Sequence, residues 1–410
     1  MNSSRRAFLE RTGRTLGAGL VFSSLPNFSK SKLWTATSDR INVGVIGTGG
    51  RGTNLIQTLA EVEGMEVTTC CDILPFRLDR ALALSPGAKG FKDYRDLLDH
   101  LDLDAVIVST PLNTHFEIVK ASLEAGMHVY CEKTMTFTLD ETRKLEGIVH
   151  RTDRKFQVGY QHRFNPVYHK VLEYIQGDEF GPLSHIECYW NRNGDWRRPV
   201  PDPKWERVIN WRMYKEYSGG LLAELTSHQL NIVNWMMGSV PQKVAGFGGV
   251  DYWKDGRETY DNIHLIYDYP GGLKVSCTSL TTNAEMGFQM KFYGKNATIE
   301  LTRENNYSAR LFVEPTYYRS FEKSSNAEVD GTTGATELLQ KGEPITIYES
   351  APGEEDAGPT REGLVSFGRD IREDRIPEVG YDSGRDSAIC VALGNMAMEK
   401  GTVIHWKDYV

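Results

Sequence analysis

Short runs of apolar, β-branched residues alternate with amphipathic segments in the first part of the chain. Ile41 to Ile46 is one such run, which predicts a buried parallel strand, and the residues after it have helical spacing. The same alternation predicts strands at 41–46, 66–71, 104–109, 128–131 and 156–159 and helices at 53–62, 92–100, 116–125 and 140–152. Strands that alternate with helices indicate a doubly wound parallel sheet with right-handed crossovers. We expect one such α/β domain over residues 38–160.

The periodicity changes after residue 160, where apolar and polar residues alternate along shorter segments. Strands are predicted at 184–191, 243–252, 263–269, 273–281 and 289–293. Residues 305–359 are polar and predict loops with weak strands, whereas 363–373 and 383–400 predict two final helices. This pattern favours a second, α+β domain over 161–410, built on a large, mostly antiparallel open sheet.

The first predicted strand runs into a glycine turn, Gly47-Thr48-Gly49-Gly50-Arg51-Gly52. Its first, third and sixth residues match G-x-G-x-x-G, in which the glycines permit a tight turn, approach of a pyrophosphate and close helix packing. The next strand ends in Asp72, twenty residues after Gly52, where a carboxylate binds a ribose 2′-hydroxyl and repels a 2′-phosphate. These features predict a Rossmann domain that prefers NAD to NADP, and Arg77 offsets part of that preference. A glycine turn beside a surface aspartate is the structural alternative.

Composition and charge narrow the classes of function. The 410 residues include 47 Lys and Arg against 55 Asp and Glu, a net charge of -8 at pH 7, and the mean hydropathy is -0.43. These values exclude a polytopic membrane protein and give no general attraction to nucleic acid. The six cysteines are scattered, and His162, His169 and His185 lack metal-ligand spacing. We therefore expect neither a disulfide framework nor a metal site.

Residues 1–37 carry a targeting pattern. Arg5 and Arg6 are followed by Phe-Leu, and a weakly apolar segment, Thr15 to Leu25, comes next. That segment is too short to cross a hydrocarbon core, which needs about 20 helical residues. The order of these features resembles a twin-arginine export signal, so we interpret residues 1–37 as signal and linker and the protein as periplasmic. A disordered basic tail is the alternative, in which case the protein is cytoplasmic.

Further motifs complete a family pattern: T-P-L-N-T-H at 110–115, C-E-K at 131–133, G-Y-Q-H-R-F-N-P at 159–166, and a helix that carries Glu224 and His228. With the glycine turn they resemble the glucose–fructose oxidoreductase/inositol dehydrogenase family, Gfo/Idh/MocA. The resemblance implies a carbohydrate or cyclitol substrate and a homo-oligomer assembled through the C-terminal sheet. It implies the following cofactor-binding residues: Gly47, Thr48, Gly49, Gly50, Arg51, Gly52, Asp72, Thr110, Asn113, His115, Glu132, Lys133 and Gln161.

Three of the motif residues are candidates for catalysis. Lys133 follows a strand edge, where an ammonium group can hydrogen-bond both the nicotinamide ribose and the reacting oxygen. Glu224 and His228 are four residues apart on one predicted helix, so the carboxylate would orient the imidazole of a general base. A structural ion pair is the alternative for each of them. The family has proline where this chain has Thr134, and aspartate where it has Glu224 and Asn231. These differences leave open how rigidly Lys133 is held and how close Glu224 comes to the substrate.

Tryptophan and arginine alternate between residues 190 and 212. Tryptophan faces stack on sugar rings, and guanidinium groups hydrogen-bond to hydroxyls. A core-packing insert or an oligomer contact is the alternative. The residues expected to bind substrate are Arg163, Trp196, Arg197, Trp211 and Arg212.

Together these features predict an NAD-dependent oxidoreductase that transfers hydride between nicotinamide and a hydroxyl of a sugar, glycoside or cyclitol. In this hypothesis Lys133 steadies the developing charge while His228 takes the hydroxyl proton. Two alternatives stay open: a redox-neutral glycosidase that uses NAD for oxidation, elimination, hydration and reduction, and a non-catalytic nucleotide-binding sensor. Export to a space where free nicotinamide cofactor is scarce further predicts that NAD is bound tightly.

Cofactor choice tests the role of Asp72. We expect NAD(H) to bind more tightly than NADP(H), and Asp72→Ser to narrow the gap because serine has no charge to repel a 2′-phosphate. Calorimetric titration of both proteins with each cofactor measures the four affinities. Equal affinity of the wild-type protein for NAD(H) and NADP(H) would end this interpretation.

Overall fold

The computed structural model describes residues 40–100, 102–303, 306–314, 343–351 and 357–410. The predicted signal and linker, residues 1–37, lie outside these ranges. Two sheets organise the described chain, one six-stranded and parallel, the other nine-stranded and mixed. Both were expected from the sequence pattern, and the α/β fold class is confirmed. Within the described ranges, no helix has the length and apolarity that crossing a bilayer requires.

The first sheet contains strands β1 to β6 in the order β3-β2-β1-β4-β5-β6, and every pair is parallel. Its strands are β1 (Ile41–Ile46), β2 (Met65–Cys71), β3 (Lys89–Phe91), β4 (Ala105–Val108), β5 (His128–Cys131) and β6 (Phe156–Val158). The connecting helices are α1 (Gly50–Leu59), α2 (Pro75–Leu84), α3 (Tyr94–Leu98), α4 (His115–Glu124) and α5 (Leu139–Val149). The strand order reverses beside β1, which opens a crevice at the carboxyl ends of β1 and β4.

The second sheet has the order β14-β13-β12-β11-β7-β10-β9-β8-β15, antiparallel except where β7 meets β10. Its strands are β7 (Leu183–Trp190), β8 (Lys243–Gly249), β9 (Asn262–Asp268), β10 (Lys274–Leu280), β11 (Phe288–Gly294), β12 (Ala297–Arg303), β13 (Tyr307–Val313), β14 (Ile345–Glu349) and β15 (Ile404–His405). The helices of this half are α6 (Pro166–Ile175), α7 (Glu206–Ile209), α8 (Ser227–Met237), α9 (Ala357–Arg372) and α10 (Tyr381–Lys400).

Strand β13 corrects the expectation of weak strands in residues 305–359. The side chains of Tyr307, Ala309 and Leu311 are fully buried, and β13 pairs along its whole length with β12. Apolar residues at alternate positions, Tyr307, Ala309, Leu311 and Val313, are a strand signal. The polar residues that surround this short segment hid that signal in the sequence.

The last two helices join the two sheets. Leu364 and Phe367 of α9 are buried in the same cluster as Val43 of β1, and the Phe367 ring meets the Tyr130 ring edge-on at 5.8 Å. Helix α10 reaches both sheets, because a Cβ on Gly384 would lie 2.8 Å from Val158 and one on Gly394 would lie 2.3 Å from the Tyr267 hydroxyl. The second half of the chain is thereby held against the carboxyl edge of the first sheet.

Substitution of Gly52 tests the packing of α1 on β1. A Cβ at Gly52 would lie 2.0 Å from the carbonyl oxygen of Gly47, so Gly52→Ala must push the helix away from the strand. We expect a loss of about 1–3 kcal/mol in the free energy of unfolding, the usual cost of overpacking. Gly358→Ala is the matched control, because a Cβ there has no heavy atom within 4 Å. Chemical denaturation of both variants measures the effect, and equal midpoints would contradict the close approach.

Candidate functional site

The glycine turn shapes the backbone for a close-lying anion. Gly47 has a φ of +87°, a left-handed conformation that favours glycine, and a Cβ there would lie 2.8 Å from the Thr110 nitrogen. Helix α1 begins three residues later, at Gly50, so its free amide groups face the crevice. This geometry fits the pyrophosphate of a dinucleotide.

A cleft of about 710 Å³ opens beside the turn. Both halves of the chain form its walls. The first half contributes Gly47, Gly49, Gly50, Arg51, Asp72, Thr110 and Asn113, and the second contributes Arg198, Ile209, Trp211, Arg212 and Tyr217. A glycine turn, a helix N-terminus and an acid at the end of β2 are the parts that NAD requires, and the residues present fit it.

Asp72 stabilises the glycine turn by hydrogen bonds to Thr48. Its Oδ2 accepts hydrogen bonds from the amide and the hydroxyl of Thr48 at 2.8 and 3.2 Å, and its Oδ1 accepts one from the Leu74 amide at 2.9 Å. Thr48 is therefore fully buried beneath the turn and supports the cleft without lining it. A carboxylate can accept about four hydrogen bonds, which leaves room for a ribose hydroxyl on Asp72.

A smaller cavity of about 360 Å³ adjoins the cleft. Among the predicted residues, Arg51, Thr110, His115, Glu132, Lys133, Gln161, Trp196, Trp211, Arg212 and Glu224 line it. Arg51 and Glu132 form an ion pair at 2.7 Å, and the Gln161 Oε1 atom is buried without a hydrogen-bond partner. The cavity wall carries five Arg and Lys side chains against two carboxylates, so it favours a developing negative charge.

His115 lines this smaller cavity and joins two loops. Its Nδ1 lies 2.9 Å from the Thr134 carbonyl oxygen and its Nε2 lies 3.0 Å from the Thr110 carbonyl oxygen. Burial lowers the pKa of His115, so the ring is neutral and donates to one of the two oxygens. His115 lines the small cavity and not the larger cleft, and its expected contact with the cofactor stays a prediction.

Lys133 bridges the two halves of the chain. Its Nζ donates hydrogen bonds to the carbonyl oxygens of Glu224 at 2.8 Å and Ala223 at 3.2 Å. Both carbonyls belong to a π-helical turn, Leu222–Thr226, that precedes α8. Thr134, which stands where the family has proline, donates from its hydroxyl to the same Ala223 oxygen at 3.3 Å. The loop is thus anchored without the proline.

Burial lowers the pKa of Lys133, and Arg212 and Arg51 add to that effect, while Glu224 and Glu132 oppose it. The ammonium group is consequently readier to give up a proton than an exposed lysine. A group in this position can hydrogen-bond a substrate oxygen and share its proton. The catalytic role expected for Lys133 stays a prediction.

Glu224 does not orient His228, which corrects the expected pair. Its Oε2 accepts from the Arg212 Nε at 2.6 Å, and no hydrogen bond or ion pair joins its carboxylate to His228 within the described chain. Burial opposes ionisation of Glu224, but Arg212 and Lys133 outweigh it and its pKa lies below the ordinary value. The π-helical turn interrupts the α-helical spacing on which the expectation depended, and a bound guanidinium is the stronger partner.

His228 lies in an aromatic cluster outside the cavity lining. Its ring stacks on His162 at 4.6 Å between centroids, meets Tyr160 edge-on at 5.7 Å and lies 5.6 Å from Trp190. Its Nδ1 is buried and has no hydrogen-bond partner among the residues that the structure describes. Burial, followed by the neighbouring His162 and Lys133, holds the pKa of His228 well below 6.5, so the imidazole is neutral at neutral pH.

Sequence reasoning missed His162 as part of this cluster. From the sequence alone, His162 is considered only as a possible metal ligand. In the structure its Nδ1 lies 3.3 Å from the Tyr168 hydroxyl and its Nε2 lies 3.2 Å from the Tyr307 hydroxyl. Tyr307 belongs to β13, which lies where the sequence pattern predicted only weak strands. The G-Y-Q-H-R-F-N-P motif, which contains His162, was the signal in the sequence that could have identified this residue.

The tryptophan and arginine segment divides between the cavity and the surrounding structure. Trp196 and Trp211 line the cavity. Trp196 has a φ of +62°, a strained conformation for a bulky residue, and its Nε1 is buried without a hydrogen-bond partner. The Arg212 guanidinium lies 4.3 Å from the centre of the Trp211 ring. These three side chains form the wall available to a substrate.

Two arginines expected to bind substrate do not line either cavity. Arg163 is buried, pairs with Glu378 at 2.6 Å and stacks on the Trp235 ring at 4.3 Å. Arg197 pairs with Glu206 and also with Asp255. Both guanidinium groups stabilise the local fold, because nearby carboxylates already neutralise them.

Metal-binding and thiol chemistry find no support in the described ranges. Within them, no three His, Cys, Asp or Glu side chains are grouped to hold a metal ion. All six cysteines are buried free thiols, and burial raises the pKa of both Cys70 and Cys71 to about 12. Such thiols are poor nucleophiles at neutral pH.

Two family models match this chain. The model described as the oxidoreductase family with an NAD-binding Rossmann fold matches residues 41–160, and that of the GFO/IDH/MocA C-terminal domain matches residues 168–300. Together they cover more than half of the chain.

Individual relatives agree with the family models. The Bacillus subtilis protein named "Uncharacterized oxidoreductase YrbE" is 28% identical over 209 residues, 51% of this chain and 57% of that protein. A glycosyl hydrolase family 109 protein of Shewanella pealeana is 27% identical over 238 residues, 52% of this chain and 51% of that protein. The chain therefore spans little more than half the length of these curated relatives.

A solved structure supports the fold over nearly the whole chain. Levoglucosan dehydrogenase in complex with NADH superposes with a TM-score of 0.72 at 17% identity, and the match covers 89% of this chain and 99% of that one. Family models, relatives and geometry agree that the chain carries an NAD-binding Rossmann domain. It belongs to the Gfo/Idh/MocA family of oxidoreductases.

Proposed function

We propose that this protein is an NAD-dependent oxidoreductase that acts on a hydroxyl-bearing carbon of a sugar, glycoside or cyclitol. One observation carries the proposal: the Lys133 ammonium group lines a small cavity walled by tryptophan and arginine, and this cavity shares Arg51 and Trp211 with the dinucleotide cleft. Tryptophan faces and guanidinium groups are the partners that a polyol ring requires. The levoglucosan dehydrogenase and NADH named for the similar fold agree with this substrate class.

Each side chain has a proposed role that follows from its position and its charge. NAD supplies the hydride acceptor when it is bound. Lys133 would hydrogen-bond the reacting oxygen and stabilise the negative charge that develops there. Neutral His228 is the proposed acceptor of the hydroxyl proton, although its ring lies behind the cavity lining, in the aromatic cluster with His162. The ion pair with Glu224 would position the Arg212 guanidinium group for substrate. Glu224 would therefore orient Arg212, whereas the sequence predicted that it orients His228.

A redox-neutral glycosidase is the second candidate. The similarity to the glycosyl hydrolase family 109 protein favours it. Oxidation of a ring hydroxyl acidifies the adjacent C–H, so the same lysine and histidine would serve elimination of an aglycone, addition of water and reduction. Both candidates share their first step and differ in whether NADH accumulates.

Export and assembly belong to the same proposal. The twin-arginine-like pattern of residues 1–37 supports action in the periplasm with a retained NAD. Phe247 and Ile266 are 77% and 55% exposed on adjacent strands of the second sheet. An apolar surface of this kind supports a homo-oligomer that forms through that sheet.

Substitution of Lys133 and His228 tests the proposed chemistry. We expect Lys133→Ala and His228→Ala each to lower kcat/KM by about 10²-fold or more, the scale of acid–base groups. Wild-type kcat/KM should fall only at a pH below about 6.5, because His228 must be neutral to accept a proton and its pKa is lowered. The fall should disappear in His228→Ala.

Arg163→Met is the matched control, since Arg163 is buried and charged but lines neither cavity. Rates over a pH series, followed by NADH absorbance on a panel of glycosides and cyclitols, give the measurement. Wild-type turnover by either alanine variant would remove that residue from the mechanism.

The two candidate activities separate in one assay with aryl glycosides. The oxidoreductase should form NADH in proportion to product and leave the glycosidic bond intact. A redox-neutral glycosidase should release the aryl alcohol with catalytic NAD and no net NADH. Parallel absorbance traces of the aryl alcohol and NADH distinguish them, and the absence of both signals would reject both activities for these substrates.

A further inference from the structure

Two arginine side chains converge on the glycine turn from opposite halves of the chain. Arg77 of α2 lies 3.5 Å from the position of a Cβ on Gly49, and Arg198 lies 3.6 Å from that of a Cβ on Gly50. Both distances are measured to a guanidinium nitrogen. The two cations therefore lie over the N-terminus of α1, where a pyrophosphate would bind.

Among the described residues, neither guanidinium group forms an ion pair. In the described part of the chain, no carboxylate lies within 4.0 Å of the Arg77 or Arg198 guanidinium. Burial lowers the pKa of Arg77, and Arg80, Arg198 and Arg212 lower it further, against the attraction of Asp72. Several positive charges close to one helix N-terminus repel each other, and a bound anion would reduce that repulsion.

The backbone of Arg198 is fixed although its side chain is exposed. The Arg198 amide donates to the Asn210 Oδ1 at 2.7 Å, and the Asn210 Nδ2 donates to the Arg198 carbonyl oxygen at 3.0 Å. Asn210 is itself buried, and its Nδ2 also donates to Glu206 at 3.0 Å. The segment that carries Arg198 is thus anchored in the second half of the chain.

From these contacts we propose that Arg198 is a phosphate clamp that the second domain contributes to the first. Its guanidinium group would hydrogen-bond the pyrophosphate of the dinucleotide opposite Arg77 and close the cleft over the cofactor. A bidentate, charge-assisted bond of this kind slows cofactor release. The inference rests on the proposed NAD-dependent function and names the residue by which the cofactor is retained.

Arg198→Met removes the charge while it keeps an unbranched, flexible side chain. We expect the Kd for NAD, NADP and ADP-ribose to rise by about 10-fold or more, equally for all three, because each contains the pyrophosphate. The dissociation rate should account for most of the rise. Fluorescence of Trp211, which lines the cleft, reports binding and release without turnover.

Two further variants separate charge from structure. Arg198→Lys should recover part of the affinity, since it keeps the charge but cannot bind in bidentate fashion. Arg207→Met is the matched control, because Arg207 lies in the same segment but pairs with Glu216 and Glu258. It should leave all three dissociation constants unchanged.

Unchanged NAD affinity in Arg198→Met would overturn the clamp. A rise confined to NADP would also overturn it and would place Arg198 at the 2′-phosphate. Failure of the wild-type protein to bind NAD would reject the proposed function and the clamp with it. Wild-type binding with an unaffected variant would reject the clamp alone.

Discussion

A buried ammonium group joins the two halves of this molecule. Lys133 extends from the end of β5 in the first sheet and donates to the carbonyl oxygens of Ala223 and Glu224 in the second half of the chain. Burial of a charge is costly unless hydrogen bonds and counter-charges compensate it. Here Glu132 and Glu224 supply the counter-charge, and each is also bound by an arginine. The small cavity proposed to bind substrate is lined by Lys133 and Glu224.

Under the proposed function, the residual positive charge of that cavity would assist oxidation of an alcohol. Oxidation requires that a hydroxyl lose its proton while negative charge collects on the oxygen. The cavity wall is rich in arginine and lysine, and a neutral imidazole lies in the adjacent aromatic cluster. The first feature favours the developing alkoxide, and the second provides a base at neutral pH. In the same way, Arg77 and Arg198 bring positive charge to the glycine turn, where the negatively charged pyrophosphate of the dinucleotide would bind.

Most of the first domain could be predicted, because its signals are local, but helix α2 and the three-residue strand β3 were not. A β-branched run, a glycine turn and an acid at fixed spacing are each encoded within a few residues. The second half depended on distant contacts. The Glu224–Arg212 pair depends on a π-helical turn that no spacing rule indicates, and the partners of Arg163 and Arg197 become visible only once the chain is folded. His162 was missed because its neighbours Tyr168 and Tyr307 come together only in the tertiary structure.

The most direct test of this account is a single turnover of the NAD-loaded enzyme. The protein, mixed in a stopped-flow instrument with excess glycoside or cyclitol, should show a rise in NADH absorbance no larger than one nicotinamide per site. The rise should be strongly slowed in Lys133→Ala. Both proposed activities predict this transient, since each begins with oxidation of a hydroxyl. A protein that binds NAD in the cleft but reduces none of it with any substrate of the panel would contradict the account and favour a nucleotide-binding sensor.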